Sequence, residues 1–303
     1  MLFNIVVILA PLFLGYLFHI RSLFWLKKIN VALSAMVYII LLLMGYNLAF
    51  IDNLADNLTH LATITLVFIG LLGIFNLAAF WLCRRWLKIP TDIPNQQRSR
   101  FSPALLKDSF KLVGLVLLGL GLGVWGGWHF AYQDKLSDQA LMLLLFLIGL
   151  QLRASNLSLR QILLDYRGIL IALVVFLSGL PAAWCAAQIL DIPTPLALAL
   201  SSGFGWYSLS GILISGQVNA LMGSSAFFID LLREMLALFL IPLLMPKAAT
   251  GAIGFSGATA MDFTLPVIAK NGGQRCVPIA IVSGFLLSLA CPALIAIWLS
   301  LYH

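Results

Sequence analysis

Long apolar runs separated by short polar ones organise this chain. A membrane-spanning helix needs about 20 consecutive apolar residues. Eight continuous spans are predicted on that basis, at about 2–19, 29–50, 59–83, 111–131, 138–152, 168–190, 224–245 and 276–301. The fifth is short. The first lacks a basic leader and a small-residue cleavage site, so it reads as a span and not as a cleavable signal peptide.

Two segments break the pattern. PTPLALALSSGFGWYSLSGILISG (193–216) and ATGAIGFSGATAMDFTLPVIAK (249–270) are apolar at their flanks and rich in Gly and Ser at their centres. Glycine frees the backbone, and short hydroxyl side chains can satisfy its polar groups. Non-helical backbone at membrane depth is tolerated only where it is buried in protein or lines a cavity. A pair of such interrupted segments is the pattern expected of a transporter's binding site.

Composition agrees with a polytopic membrane protein. Of 303 residues, 62% are hydrophobic and 10% charged, against roughly 25% charged in soluble domains. The mean hydropathy is +1.04. The formal net charge of +7 reports topology more than a nucleic-acid partner. With the N-terminus outside and both broken segments re-entrant, 16 of the 18 basic residues face the cytoplasm. Only Lys135 and Arg233 fall elsewhere, and Asp52, Asp56, Asp134, Asp138 and Asp191 gather at the opposite ends. Ten full crossings are the alternative, and they would move Lys247 outside. The expected fold is therefore all-α, with about eight transmembrane helices plus two re-entrant segments, N-out and C-out.

Internal similarity points the same way. LLLMGYNLAF (41–50) resembles LLFLIGLQLR (144–153) at an offset of 104, pairing Gly45 with Gly149 and Asn47 with Gln151. An odd number of spans separates the copies, so they would be inverted. Aligning Gly205 with Gly257 relates the two broken segments and pairs Ser210 with Asp262. Inverted repeats of this kind are a common transporter plan. The expected organisation is a scaffold-like region at 1–190, with repeats 1–84 and 110–190 joined by a cytoplasmic linker at 85–109. A core follows at 191–303. The basic linker could touch anionic membrane lipid.

Ionisable residues inside a span cost at least about 2.5–3.5 kcal/mol each on insertion scales, so they are candidates for function. SSAFFIDLLREMLALFLIPLL carries Asp230, Arg233 and Glu234, the last being the only glutamate of the chain. Asp230 and Glu234 share a helix face, and Arg233 is spaced to pair with Asp230. The bland alternative is a structural ion pair holding this helix to a broken segment. Asp262 sits at the centre of the second broken segment, where it could bind a cation or cap the following half-helix. Trp206, Tyr207, Ser208 and Ser210 occupy the matching place in the first, where hydroxyls and π-faces could receive an amine. Asp52 ends the second span, either as a loop acid or lining an exit mouth. Asn47 and Gln151 are read as interhelical hydrogen-bonding residues.

Enzymatic and metal chemistry finds no support. HExxH and GxSxG are absent, and GFGWYS lacks the lysine of a phosphate loop. Cys83, Cys185, Cys276 and Cys291 show no CxxC spacing, and the four histidines are scattered. No metal or other cofactor is expected.

The stretches MGYNLAFIDNL (44–54), SGFGWYSLSGIL (202–213), SSAFFIDLLREMLA (224–237) and GATAMDFTLPV (257–267) are long and unusual. Through them the chain resembles the bacterial lysine exporter family, LysO, over nearly its whole length. That resemblance implies an inner-membrane, multi-pass exporter of L-lysine and of its toxic analogue thialysine. It also implies that membrane-embedded acids carry function, and Asp52, Asp230, Glu234 and Asp262 stand in the resembling stretches. Exporting a cation against an inside-negative potential costs about 2.3 kcal/mol per 100 mV. Exchange for a proton offsets that cost, through a carboxylate that holds either a proton or an ammonium. Glu234 and Asp262 are the expected exchange sites, with Asp230 and Arg233 tuning them and half-helix N-termini receiving the α-carboxylate. Na⁺ is the alternative coupling ion. A sodium-coupled transporter of a small organic anion is the alternative function.

Overall fold

The computed structural model describes residues 10–11, 13–18, 23–50, 54–85, 107–126, 165–273 and 275–302, with single positions at 87 and 89 and within 139–153. Among the described residues the chain is all-helical, without strands. Helix α1 spans Leu23–Leu48, α2 Leu54–Cys83, α3 Lys107–Gly126 and α4 Tyr166–Leu190. Asp165 opens α4 by accepting the Gly168 N–H at 3.3 Å. Asp191 closes it in the left-handed conformation, φ 51°. Three helices are long and apolar enough to cross a membrane, over Asn57–Cys83, Tyr166–Leu190 and Cys276–Tyr302. The protein is accordingly a membrane protein. The expected spans at 2–19 and 138–152, and the linker at 85–109, lie mostly outside the described residues.

Both segments expected to be broken are broken. The first forms α5 (Thr194–Ser201) and α6 (Tyr207–Gln217), separated by residues 202–206. The long helix α7 (Ala220–Ser256) follows and bends at Ala248, φ −149° and ψ 62°. Pro246 stands two residues before the bend, and proline cannot donate to the helical ladder. Residues 249–256 beyond the bend begin the second broken segment. It continues through a 3₁₀ turn at Gly257–Met261 and α8 at Leu265–Gly272. Helix α9 (Cys276–Tyr302) completes the chain.

Each broken segment is a hairpin. Gly272, at the end of α8, packs so closely on Met245 and Cys276 that a Cβ there would press on both sulfurs. The second hairpin therefore starts and finishes at the same end of α7. Gly223, near the start of α7, packs on Ser215 of α6, so the first hairpin finishes at the opposite end. The two tips meet: the Ala258 N–H donates to the Phe204 carbonyl at 2.9 Å. Gly205 (φ 93°) and Gly257 (φ 64°), the pair aligned in sequence, both adopt the left-handed region at this meeting point.

The offset of 104 reappears in packing. A Cβ on Gly119 of α3 would strike the backbone at Leu42 and Tyr46 of α1. A Cβ on Gly15 would strike the backbone at Phe146 and Leu150, each 104 positions further on than its counterpart. Each first helix of a repeat thus lies against the second helix of the other. Helices α2 and α4 pack on each other and on α7, and α4 also packs on α9.

Candidate functional site

One turn of α7 holds both hairpin tips. Asp230 is buried and accepts the Gly205 N–H at 2.7 Å through one carboxylate oxygen. Its other oxygen accepts from the Ser210 hydroxyl. The carboxylate thus satisfies backbone freed by the first break and lies at the N-terminal end of α6, where negative charge is favoured. Gly203 makes this approach possible, because a Cβ there would overlap the Asp230 carboxylate. Arg233 mirrors this arrangement with opposite charge. Its Nε donates to the Phe255 carbonyl at 3.0 Å and its Nη2 to the Gly254 carbonyl at 3.3 Å. These are the last carbonyls of a half-helix, the end that favours cations. The guanidinium also stands over the Phe255 ring, 5.9 Å from its centroid.

Arg233 and Asp230, expected from their spacing to pair, attract each other electrostatically, but their hydrogen bonds go elsewhere. Each charge clamps the main chain of a different hairpin. The i, i+3 spacing placed the two side chains correctly on one surface of the helix, but it carried no information about the carbonyls and N–H groups facing that surface. Glu234 is buried on the same turn.

Asp262 closes the 3₁₀ turn with an accessible side chain that is nonetheless largely surrounded by protein, unlike the fully buried Asp230, Arg233 and Glu234. Its carboxylate accepts from the adjacent Phe263 N–H. The anticipated capping of the following half-helix by this side chain is absent: Thr264 occupies the capping position before α8, without a side-chain cap. The donors there are used internally, Thr264 N–H bonding Thr259 O at 3.0 Å and Leu265 N–H bonding Asp262 O at 3.2 Å. The start of α8 therefore offers no free backbone donor at 264 or 265 for a substrate carboxylate. Two hydroxyls brace the turn, from Thr259 to Ser256 O at 2.8 Å and from Thr264 to Thr259 O at 3.0 Å.

In the first break, Trp206 is half-buried and its N–H bonds Gly203 O at 2.9 Å. Tyr207 packs edge-on against Phe227 of α7, with centroids 5.7 Å apart. Ser208 is buried at the start of α6, and Ser210 belongs to the Asp230 clamp. The structure thus sets Ser210 with Asp230 in one clamp and Arg233 in a second on the same turn of α7, and leaves Asp262 outside both. Asp52, the Asn47 side chain and Gln151 lie outside the described residues. Gly203, Phe204 and the carbonyls at 254 and 255 were not anticipated. Phe204 is a buried residue at φ 53°, and the glycines on either side of it were the available signal. Among the described residues, no cluster of metal-ligating side chains occurs.

Residues 113–299 match the family described as lysine exporter LysO. An Escherichia coli K12 protein named lysine exporter LysO is 46% identical over 296 residues, covering 97% of this chain and 98% of that protein. A Haemophilus influenzae Rd protein, provisionally named a lysine exporter, is 41% identical over 192 residues, covering 63% of this chain and 97% of that protein. No solved structure matches the chain. With the family match covering more than half the chain and the Escherichia coli relative nearly all of it, the protein belongs to the lysine exporter LysO family.

Proposed function

We propose that this protein exports L-lysine, and its analogue thialysine, across the bacterial inner membrane by exchange for protons, as a secondary transporter and not as an enzyme. Family membership supports the substrate. One observation carries the mechanism: Asp262 is an accessible carboxylate, largely surrounded by protein, four residues beyond the meeting of two broken helices, while the nearby charges Asp230 and Arg233 are engaged in backbone clamps. A carboxylate in that position holds either a proton or the lysine side-chain ammonium, and competition between them is the exchange. Glu234, buried one turn from Asp230, is the second exchange site. Trp206 and Ser208, at the start of α6 in the other broken segment, are the further candidates for contact with the amine.

Topology enters this reading through packing. Lys247 lines the same cavity as Arg84 and Arg85, and Gly272 returns to Met245. Both features favour a re-entrant second segment over ten full crossings, with these basic residues on the cytoplasmic side. The two hairpins then enter from opposite faces and touch at mid-membrane, within an inverted-repeat frame. In this scheme residues 1–190 supply the scaffold and 191–303 the core.

Reconstitution tests the proposal. Liposomes loaded with labelled lysine receive an acid-outside pH gradient, and lysine efflux is followed together with internal pH. Matching efflux and proton entry, lost in Asp262→Asn, is the expected result. Lysine efflux driven only by sodium would replace the proton by Na⁺. No lysine flux under either gradient, with uptake of an organic anion on sodium addition, would sink the exporter reading.

A further inference from the structure

A second charged feature lies away from the hairpin tips. A cavity of about 400 Å³ opens between the C-terminal end of α2 and the bend of α7. That volume falls within the roughly 300–1,000 Å³ typical of ligand pockets. Arg84, Arg85 and Lys247 line it, together with Pro246, Ala249 and Thr250, and no acidic residue does among the described residues.

These cations are not occupied in finishing α2. The Trp81 carbonyl already accepts the Arg84 N–H at 3.4 Å, and the Cys83 carbonyl accepts the Leu87 N–H at 3.0 Å. The Arg84 guanidinium is held over the Trp81 ring, 5.1 Å from its centroid, which fixes it at the rim. The bend at Ala248 starts a new half-helix, and its first residues, Ala249 and Thr250, line the same cavity. Three positive charges therefore converge on one concave space without a negative charge among the described residues of its wall, and like charges so arranged repel unless an anion neutralises them.

We propose that this cavity binds a phosphate-class anion, with Arg84, Arg85 and Lys247 as its ligands. Tetrahedral phosphate oxygens match the two planar guanidinium forks, and Lys247 adds a point charge. A membrane phospholipid headgroup and free inorganic phosphate share this chemistry, and both suit a basic pocket at the end of membrane helices.

The test uses the purified full-length protein in neutral detergent, read by its thermal unfolding midpoint and by native mass spectrometry. Phosphatidylglycerol, inorganic phosphate and, as control, phosphatidylcholine are titrated separately. A saturable rise in midpoint with phosphatidylglycerol alone identifies a lipid headgroup, and one with inorganic phosphate identifies a soluble ion; either supports the site. Each cation removed is expected to weaken binding about fivefold, so Lys247→Gln shifts half-saturation by that factor and Arg85→Gln/Lys247→Gln by its square. Lys27→Gln, a charge-matched change elsewhere, leaves the titration unmoved. Both side chains are exposed, and the single Lys247→Gln variant serves if the double variant does not purify. No saturable response to either phosphate compound, or an unchanged response in Lys247→Gln, overturns the proposal.

Discussion

Asp230 and Asp262 are two acids of one site with opposite duties. Asp230 satisfies an amide and a hydroxyl in a buried setting. In Asp230→Ala both donors lose their partner, at about 1–3 kcal/mol for each unsatisfied group. A thermal unfolding midpoint lowered by several degrees, with transport lost as a consequence, is the expected outcome. The Asp262 side chain is accessible, and its carboxylate accepts from local main-chain N–H groups, that of Phe263 among them, bonds that the asparagine oxygen can also accept. Asp262→Asn should keep the midpoint within about 1 kcal/mol of the parent while losing proton-coupled flux, since the replacement has the same shape and leaves no donor unsatisfied. A stability loss in Asp262→Asn equal to that of Asp230→Ala would show that both acids are structural. Gly203→Ala tests the clamp from the other side: the added methyl meets the Asp230 carboxylate, and overpacking of this kind costs about 1–3 kcal/mol.

At the scale of elements, the breaks were legible because Gly- and Ser-rich centres inside apolar runs have few explanations at membrane depth. The expected limits, 193–216 and 249–270, lie close to the hairpins formed by Thr194–Gln217 and by residues 249–272. The bend at Ala248 was less visible, since proline is often accommodated within long membrane helices. Which glycines pack was not legible either. GLGLG in α3 presents Gly119 and Gly121 alike in sequence, yet Gly119 touches α1 and Gly121 faces open space. Contact depends on the partner's position, and local spacing does not carry it. A paired substitution follows. Gly119→Leu and Gly15→Leu should both lower the thermal midpoint by separating helix pairs, whereas Gly121→Leu should leave it nearly unchanged. Equal effects at 119 and 121 would contradict the packing.

For the whole molecule, the decisive quantity is charge moved per cycle. Exchange at both Asp262 and Glu234 carries two protons per lysine, whereas exchange at Asp262 alone carries one and transfers no net charge. With both sites, net positive charge moves inward. Lysine efflux from proteoliposomes should then accelerate when a potential clamped with potassium and valinomycin sets the exit side positive to the entry side. Efflux indifferent to the clamp would instead take Glu234 out of the count. That overall arrangement was the part most dependent on distributed signals: basic residues at one set of helix ends, acids at the other, and a weak repeat whose offset also relates the contacts of Gly15 and Gly119.

The bond between the Ala258 amide and the Phe204 carbonyl joins the hairpins through main-chain atoms alone. Short of proline at 258, no substitution removes either partner atom. Side chains around the opening can therefore diversify, and with them the range of molecules accepted, while the latch between the two halves is inherited unaltered. A lineage of such proteins has room to explore new cargo without first reinventing its machinery.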